Sequence, residues 1–237
     1  MSRGLLVTGT DTGIGKTLVG CALAASLSRR LRVGVLKPAE TGCRVENGEL
    51  VPDDALRLRQ AAQSAASLDL VCPFRYAEPL APSLAAERAG RPIAIARVQQ
   101  CFTELRAASD LVIVESAGGL LVPLTERYSF AELAADLDLT LLVVVGSRLG
   151  ALNQALLTLE CARRRGLTVA GYVLNRLTAD EDLAQQLNAG ALARLTEVPS
   201  LGELPFLVGA SSLSRERLAE IGEPLALRLL QLPDFAS

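Results

Sequence analysis

Gly9-Thr10-Asp11-Thr12-Gly13-Ile14-Gly15-Lys16-Thr17 is the stretch in which residue type and spacing most clearly specify a chemistry. Glycines let successive backbone N–H groups turn inward around an anion. A lysine reaches terminal phosphates as a point charge, and a threonine hydroxyl can ligate Mg²⁺. The apolar run Leu5-Leu6-Val7 precedes this loop and a helical run, Leu18 to Leu27, follows it. A buried strand, a glycine-bearing loop and a helix in that order form a phosphate-binding loop, and the new helix adds its positive dipole end. Five residues separate Gly9 from Gly15, one more than the generic spacing, so the pattern is met in an expanded form. The competing reading is a glycine-rich turn with a solvated lysine.

Three further segments carry groups suited to the same site. Lys37-Pro38-Ala39-Glu40-Thr41-Gly42 closes a second apolar run. Proline keeps Lys37 extended, so it is either a surface lysine before a turn or a second cation facing the anion held by Lys16. Leu111 to Val114 leads into Glu115-Ser116-Ala117-Gly118-Gly119. An acid at such a strand end completes a Mg²⁺ shell, or is an ordinary strand-ending carboxylate. Asp53-Asp54 opens a helical run, Ala55 to Ala62. One of the pair is expected to cap that helix, leaving the other for the metal. Gly150-Ala151-Leu152-Asn153 begins the clearest helix, whose free N–H groups suit a carboxylate or simply start the helix.

These groups need elements that bring them to one edge. Strand-like runs recur at Leu5–Thr8, Val33–Leu36, Leu111–Val114, Leu141–Val145 and Val169–Leu174, with weaker ones near Leu70–Cys72 and Glu197–Ser200. Helical patterns lie between most of them; over Ala151 to Arg163, Leu152, Ala155, Leu156, Leu159 and Ala162 share one stripe. Alternation over the whole length predicts an α/β fold: a doubly wound, mostly parallel sheet flanked by helices, read as one domain over residues 1–237. Thr41 to Pro92, with five prolines, is the least regular region, of the kind that leaves the carboxyl ends of strands where ligands bind.

Composition narrows the function. Half of the 237 residues are apolar, Trp is absent and the net charge is −2, which argues against nucleic acid as a partner. The five cysteines form no C-x-x-C pair and histidine is absent, so the chain reads as reduced and cytoplasmic with no zinc site. The first strand begins too early for a signal peptide, and no apolar run approaches a membrane span.

The ordered set Gly9–Thr17, Lys37–Gly42, Asp54-Ala55, Ala77-Glu78-Pro79, Glu115–Gly119, Leu149–Asn153, Tyr172–Asn175 and Leu201–Pro205 resembles the dethiobiotin synthetase family, a branch of the P-loop NTPases. The expanded loop is that family's own form. The resemblance implies that 7,8-diaminononanoate and CO₂ form a carbamate, which ATP phosphorylates before ring closure. It implies ATP contacts at Gly13, Ile14, Gly15, Lys16, Thr17, Leu18, Asp54, Glu115, Ser116, Ala117, Gly118, Asn175, Arg176, Pro205, Phe206 and Leu207. Lys37 and Lys16 would be catalytic, and Thr17, Asp54 and Glu115 would hold Mg²⁺. Thr12 and Thr41 would contact the diamine, while Gly150, Ala151, Leu152 and Asn153 would take its carboxylate from a neighbouring subunit, implying a homodimer. Ser116 and Arg176 depart from the family's commoner residues. Phosphoryl transfer depends on positioning and on cations, so the absence of histidine is no obstacle. The rival readings are a nucleotide-switched partitioning or maturation ATPase of the same superfamily and a catalytically silent nucleotide-binding module.

Overall fold

Continuous apolar runs such as Leu141-Leu142-Val143-Val144-Val145 lose water on both faces only inside a sheet covered on each side. In the computed structural model, which describes residues 3–180 and 182–235, that is where they lie. The elements in the first half are β1 (Arg3–Gly9), α1 (Lys16–Leu27), β2 (Val33–Leu36), β3 (Ala39–Thr41), β4 (Arg44–Glu46), β5 (Glu49–Val51), α2 (Asp53–Ala61), α3 (Leu68–Val71), β6 (Phe74–Tyr76), α4 (Pro82–Arg88) and α5 (Ile95–Ala108). The second half holds β7 (Leu111–Gly119), β8 (Pro123–Thr125), β9 (Tyr128–Ser129), α6 (Phe130–Asp136), β10 (Thr140–Ser147), α7 (Ala151–Arg164), β11 (Val169–Arg176), α8 (Leu183–Leu195), β12 (Ser200–Leu204) and α9 (Arg215–Leu230).

The main sheet has six strands in the order β12-β11-β10-β1-β7-β2, and every pairing in it is parallel. From β1 the chain goes first to the edge strand β2, returns to β7 between the two, and then crosses to the other side of β1 for β10, β11 and β12. β1 is therefore the switch point, and the crevice beyond its carboxyl end is where an open α/β sheet binds ligands. Because the strands are parallel, the residues following Gly9, Leu36, Val114 and Leu174 all emerge at that one edge.

α1 is buried along almost its whole length because it lies between the sheet and α9. Gly222 permits that approach, since a Cβ there would stand 2.0 Å from the Ala22 carbonyl oxygen. The opposite face of the sheet is covered by α5, α6 and α4 around Phe102 and Phe130.

Two weaker sequence expectations are corrected. Leu70–Cys72 is not a strand: residues 68–71 form α3, whose Val71 carbonyl accepts a hydrogen bond from the Lys37 amide at 2.7 Å. The run expected at Glu197–Ser200 falls instead at Ser200–Leu204, where pairing with Tyr172–Asn175 fixes the register. The proline-rich Thr41–Pro92 region is more ordered than expected, containing a parallel β3–β6 pair and a β4–β5 hairpin turned at Asn47-Gly48, both with positive φ.

Candidate active site

The phosphate loop runs from the end of β1 into α1, and Gly15 at the helix start has φ +92°. A Cβ at Gly15 would also stand 2.2 Å from Asn175 Nδ2, so glycine is required twice over. Lys16 is 7% exposed and its Nζ donates to the Asp11 carbonyl at 2.7 Å. Burial and then the charge of Lys37 pull the Lys16 ammonium down to about 8.

Lys37 leaves β2 extended, as the following proline requires, and its side chain is buried. Nζ donates to Asp54 Oδ2 at 3.1 Å and contacts Glu115 Oε1 directly. Burial opposes its charge, but Glu115 and Asp54 outweigh burial and hold Lys37 firmly protonated. Of its two readings, the solvated surface lysine is thereby excluded.

Glu115 sits within β7 opposite Val7 of β1 and is fully buried. Its Oε1 accepts from Thr17 Oγ1 at 2.8 Å, while Oε2 has no hydrogen-bond partner. Burial would raise the Asp54 carboxyl, but Lys37, helped by Thr17 and Arg57, more than compensates and holds it below the usual carboxylate range.

The expected capping role for one of the two aspartates is corrected. The N-cap of α2 is Pro52, which offers no side-chain acceptor, and Asp53 pairs outward with Arg44. The cap comes from β3: Glu40 Oε1 accepts from the Asp54 amide and Oε2 from the Ala55 amide, both at 2.9 Å. Burial pushes the Glu40 carboxyl up to about 7, with Lys37 opposing. Nothing in the residues around Glu40 announces this role. No local signal links it to an amide fourteen residues on.

A cavity of about 720 Å³ opens over these groups, lined among others by Thr12, Gly13, Gly15, Lys16, Thr17, Leu18, Lys37, Glu40, Thr41, Asp54, Glu115, Ser116, Ala117, Gly118, Asn175, Arg176, Phe206 and Leu207. The sequence candidates thus converge with three exceptions. The Ile14 side chain is buried, and its carbonyl accepts from Asn175 Nδ2 at 2.8 Å. Pro205 is exposed outside the lining. Gly150, the N-cap of α7, and Ala151, Leu152 and Asn153 in its first turn do not line the cavity; they follow Leu149, which is 87% exposed.

Asn175 stands against the phosphate loop, its amide nitrogen bonded to the Ile14 carbonyl and its Oδ1 buried without a partner. The two unusual residues are accommodated without disturbing the cavity. Ser116 Oγ donates to the Gly118 carbonyl at 2.8 Å and lies 3.2 Å from Thr8 Oγ1. Arg176 Nε donates to Glu203 Oε1 at 2.7 Å. Thr17, Asp54 and Glu115 offer only oxygen donors, one of them an orphaned buried carboxylate oxygen, which suits a hard divalent ion such as Mg²⁺.

The family model described as "AAA domain" matches residues 3–212. Solved structures share the fold: the septum site-determining protein MinD from Pyrococcus horikoshii at TM-score 0.63 (16% identity, 98% of this chain and 97% of that one) and a ParA family ATPase from Chlorobium tepidum at 0.60 (14%, 98% and 100%). At such identities the likeness concerns fold alone. Sequence relatives are closer. A protein of Anaeromyxobacter dehalogenans named ATP-dependent dethiobiotin synthetase BioD is 48% identical over 86% of this chain and 90% of its own length. Proteins of the same name from Thermodesulfovibrio yellowstonii (36%, 93% and 94%) and Bacillus velezensis (35%, 92% and 93%) match almost end to end.

The chain belongs to the dethiobiotin synthetase family.

That membership separates it from the partitioning ATPases whose fold it shares. In this dethiobiotin synthetase family member, Lys37 and the carboxylates beside it face the same cavity as the phosphate loop.

Proposed function

We propose that this chain is an ATP-dependent dethiobiotin synthetase, closing the ureido ring of 7,8-diaminononanoate with CO₂. One amine adds to CO₂, forming a C–N bond and a carbamate. The carbamate oxygen then takes the γ-phosphoryl group as the bond to ADP breaks. The second amine attacks the carbamoyl carbon, and phosphate leaves. The observation that carries this reading is the placement of Lys37, a buried cation between Asp54 and Glu115 at the mouth of the phosphate loop.

In this scheme the loop amides of Gly13 to Leu18 and the Lys16 ammonium hold the phosphates. Lys37 offsets charge on the carbamate and on the phosphoryl group in transfer, and Thr12 and Thr41 orient the diamine. Thr17, Asp54 and Glu115 would hold Mg²⁺, which supplies charge neutralisation at the β- and γ-phosphates when bound. Asn175 reads the base, with Arg176, Pro205, Phe206 and Leu207 around it. The exposure of Leu149 and the absence of Gly150 to Asn153 from this chain's own cavity lining support a homodimer in which these residues serve the neighbouring subunit's diamine. The cytoplasm is the proposed location; among the described residues no helix is long and apolar enough to cross a membrane.

Incubation with the diamine, bicarbonate, Mg²⁺ and ATP, followed by mass detection of the cyclic urea, tests the reaction. Product requiring all four components supports it. ATP hydrolysis indifferent to the diamine favours a nucleotide switch instead.

Two further results are expected of the nucleotide site. One of the two Asn175 Nδ2 hydrogens is held by the Ile14 carbonyl, which fixes the orientation of the amide and leaves Oδ1 as its unpaired acceptor. It suits the exocyclic amine of adenine, whereas the keto oxygen of guanine would leave two acceptors facing each other, at about 1–3 kcal/mol. GTP should therefore bind about tenfold or more weakly than ATP in a competition titration; equal affinities would refute the role of Asn175.

Lys16, lowered to about 8, is mostly neutral above that pH before phosphate arrives. Phosphate binding favours the ammonium and must then draw a proton from solution. Affinity should fall as pH rises from 8 to 10, approaching about tenfold per unit. Calorimetry at pH 8.5 in buffers of different ionisation heat should register proton uptake, and none would refute the assignment.

A further inference from the structure

Glu40 is a buried carboxylate that the reaction scheme does not use. Both of its oxygens are engaged by backbone amides, Oε1 by Asp54 and Oε2 by Ala55, so it is not free to abstract a proton from an amine. It does replace a missing part. The four leading N–H groups of a helix need acceptors, and here the N-cap is Pro52, with no side-chain acceptor, while Asp53 is turned to Arg44. Glu40 belongs to β3, two residues beyond Pro38, and β3 is itself anchored by its parallel pairing with β6. Its carboxylate therefore ties the segment that carries Lys37 to the helix turn that carries Asp54.

The tie has a consequence at the cavity. Asp54 reaches Lys37 with one oxygen at 3.1 Å and is in hydrogen-bond contact with Thr17, yet its side chain is about 38% exposed, so its reach to both depends on where the first turn of α2 is held. We propose that Glu40 is a positioning residue: by capping α2 with both carboxylate oxygens, it holds Asp54 where Lys37 and the divalent cation need it. This rests on the proposed function only for the cation itself. The general expectation is that a group orienting a metal ligand influences metal affinity by about 10–100-fold.

The test uses the full chain and a fluorescent N-methylanthraniloyl-ADP, titrated with Mg²⁺. In Glu40→Ala the Mg²⁺ concentration for half-maximal enhancement of nucleotide binding should rise about tenfold, while nucleotide affinity in EDTA stays within about twofold of the parent. Glu40→Gln keeps one acceptor but sets its NH₂ group against the second amide N–H, so the half-saturating Mg²⁺ concentration should rise by at least about threefold. If Glu40→Ala does not fold, Glu40→Gln decides by the same titration. A folded variant with the parent's Mg²⁺ half-saturation overturns the proposal, as does a parent whose nucleotide binding ignores Mg²⁺. A raised KM for the diamine with unchanged Mg²⁺ half-saturation also overturns it, because that marks direct substrate contact. Failure of the function reading is separate: the parent would form no cyclic urea, yet the Mg²⁺ titration would still report on Glu40.

Discussion

Replacing Lys37 with alanine is expected to reduce cyclic-urea formation at saturating ATP by about a hundredfold, corresponding to roughly 3 kcal/mol of transition-state stabilisation from one preorganised cation. The structure adds a second effect. Lys37 is the cation in contact with Glu115, which is fully buried and already carries one unpaired oxygen. Removing one partner of a buried pair costs about 3–5 kcal/mol, less here because half-exposed Asp54 stays in reach of solvent. The variant should therefore unfold at lower urea concentration as well as turn over slowly. Initial rates below the unfolding transition separate the two effects. Turnover within a few fold of the parent, in protein shown to be folded, would remove Lys37 from the mechanism.

Glu115→Gln should be comparably severe for a different reason. The amide keeps the shape of the side chain but cannot serve as an anionic metal ligand, and it no longer balances Lys37. Turnover should fall by about a hundredfold or more, and the Mg²⁺ requirement should shift to higher concentration. The sign of the accompanying pH effect follows from the buried pair. Glu115 and Asp54 together outweigh the burial that disfavours the Lys37 ammonium. With Glu115 neutral, burial is opposed mainly by Asp54, so Lys37 loses its proton at lower pH. Residual activity in Glu115→Gln should then decline with rising pH earlier than in the parent. An unchanged Mg²⁺ requirement would show that this carboxylate is not at the metal, and an unchanged alkaline limb would show that it does not hold the Lys37 proton.

The parts of the site that were readable share a property: each is announced by its immediate neighbours. Gly15 and Lys16 stand where an apolar strand gives way to a helical run, and the loop has that form in three dimensions. Glu115 follows four apolar residues, and Lys37 precedes a proline at the end of another such run. Short segments without that reinforcement were misjudged. Leu70–Cys72 is only three residues, too few for propensity to resist its surroundings, and it is helical where its carbonyl meets the Lys37 amide. The strand at Ser200–Leu204 is placed by the register of its partner, which its own residues do not state.

By itself, then, the order of residues determined an α/β chain with a phosphate loop and the identities of its cations and acids, because glycine conformation, apolar periodicity and strand-end chemistry are local and add along the chain. Only the folded molecule decided which of these groups meet. Parallel strands on both sides of β1 bring Lys16, Lys37, Glu115 and Asn175 to one edge. The capping of α2 by Glu40, the use of Asn175 nitrogen on Ile14 and the neutralisation of Lys37 by two carboxylates depend on distances between segments far apart in the chain. Those distances are fixed by crossovers and packing, for which no short stretch of sequence contains the information.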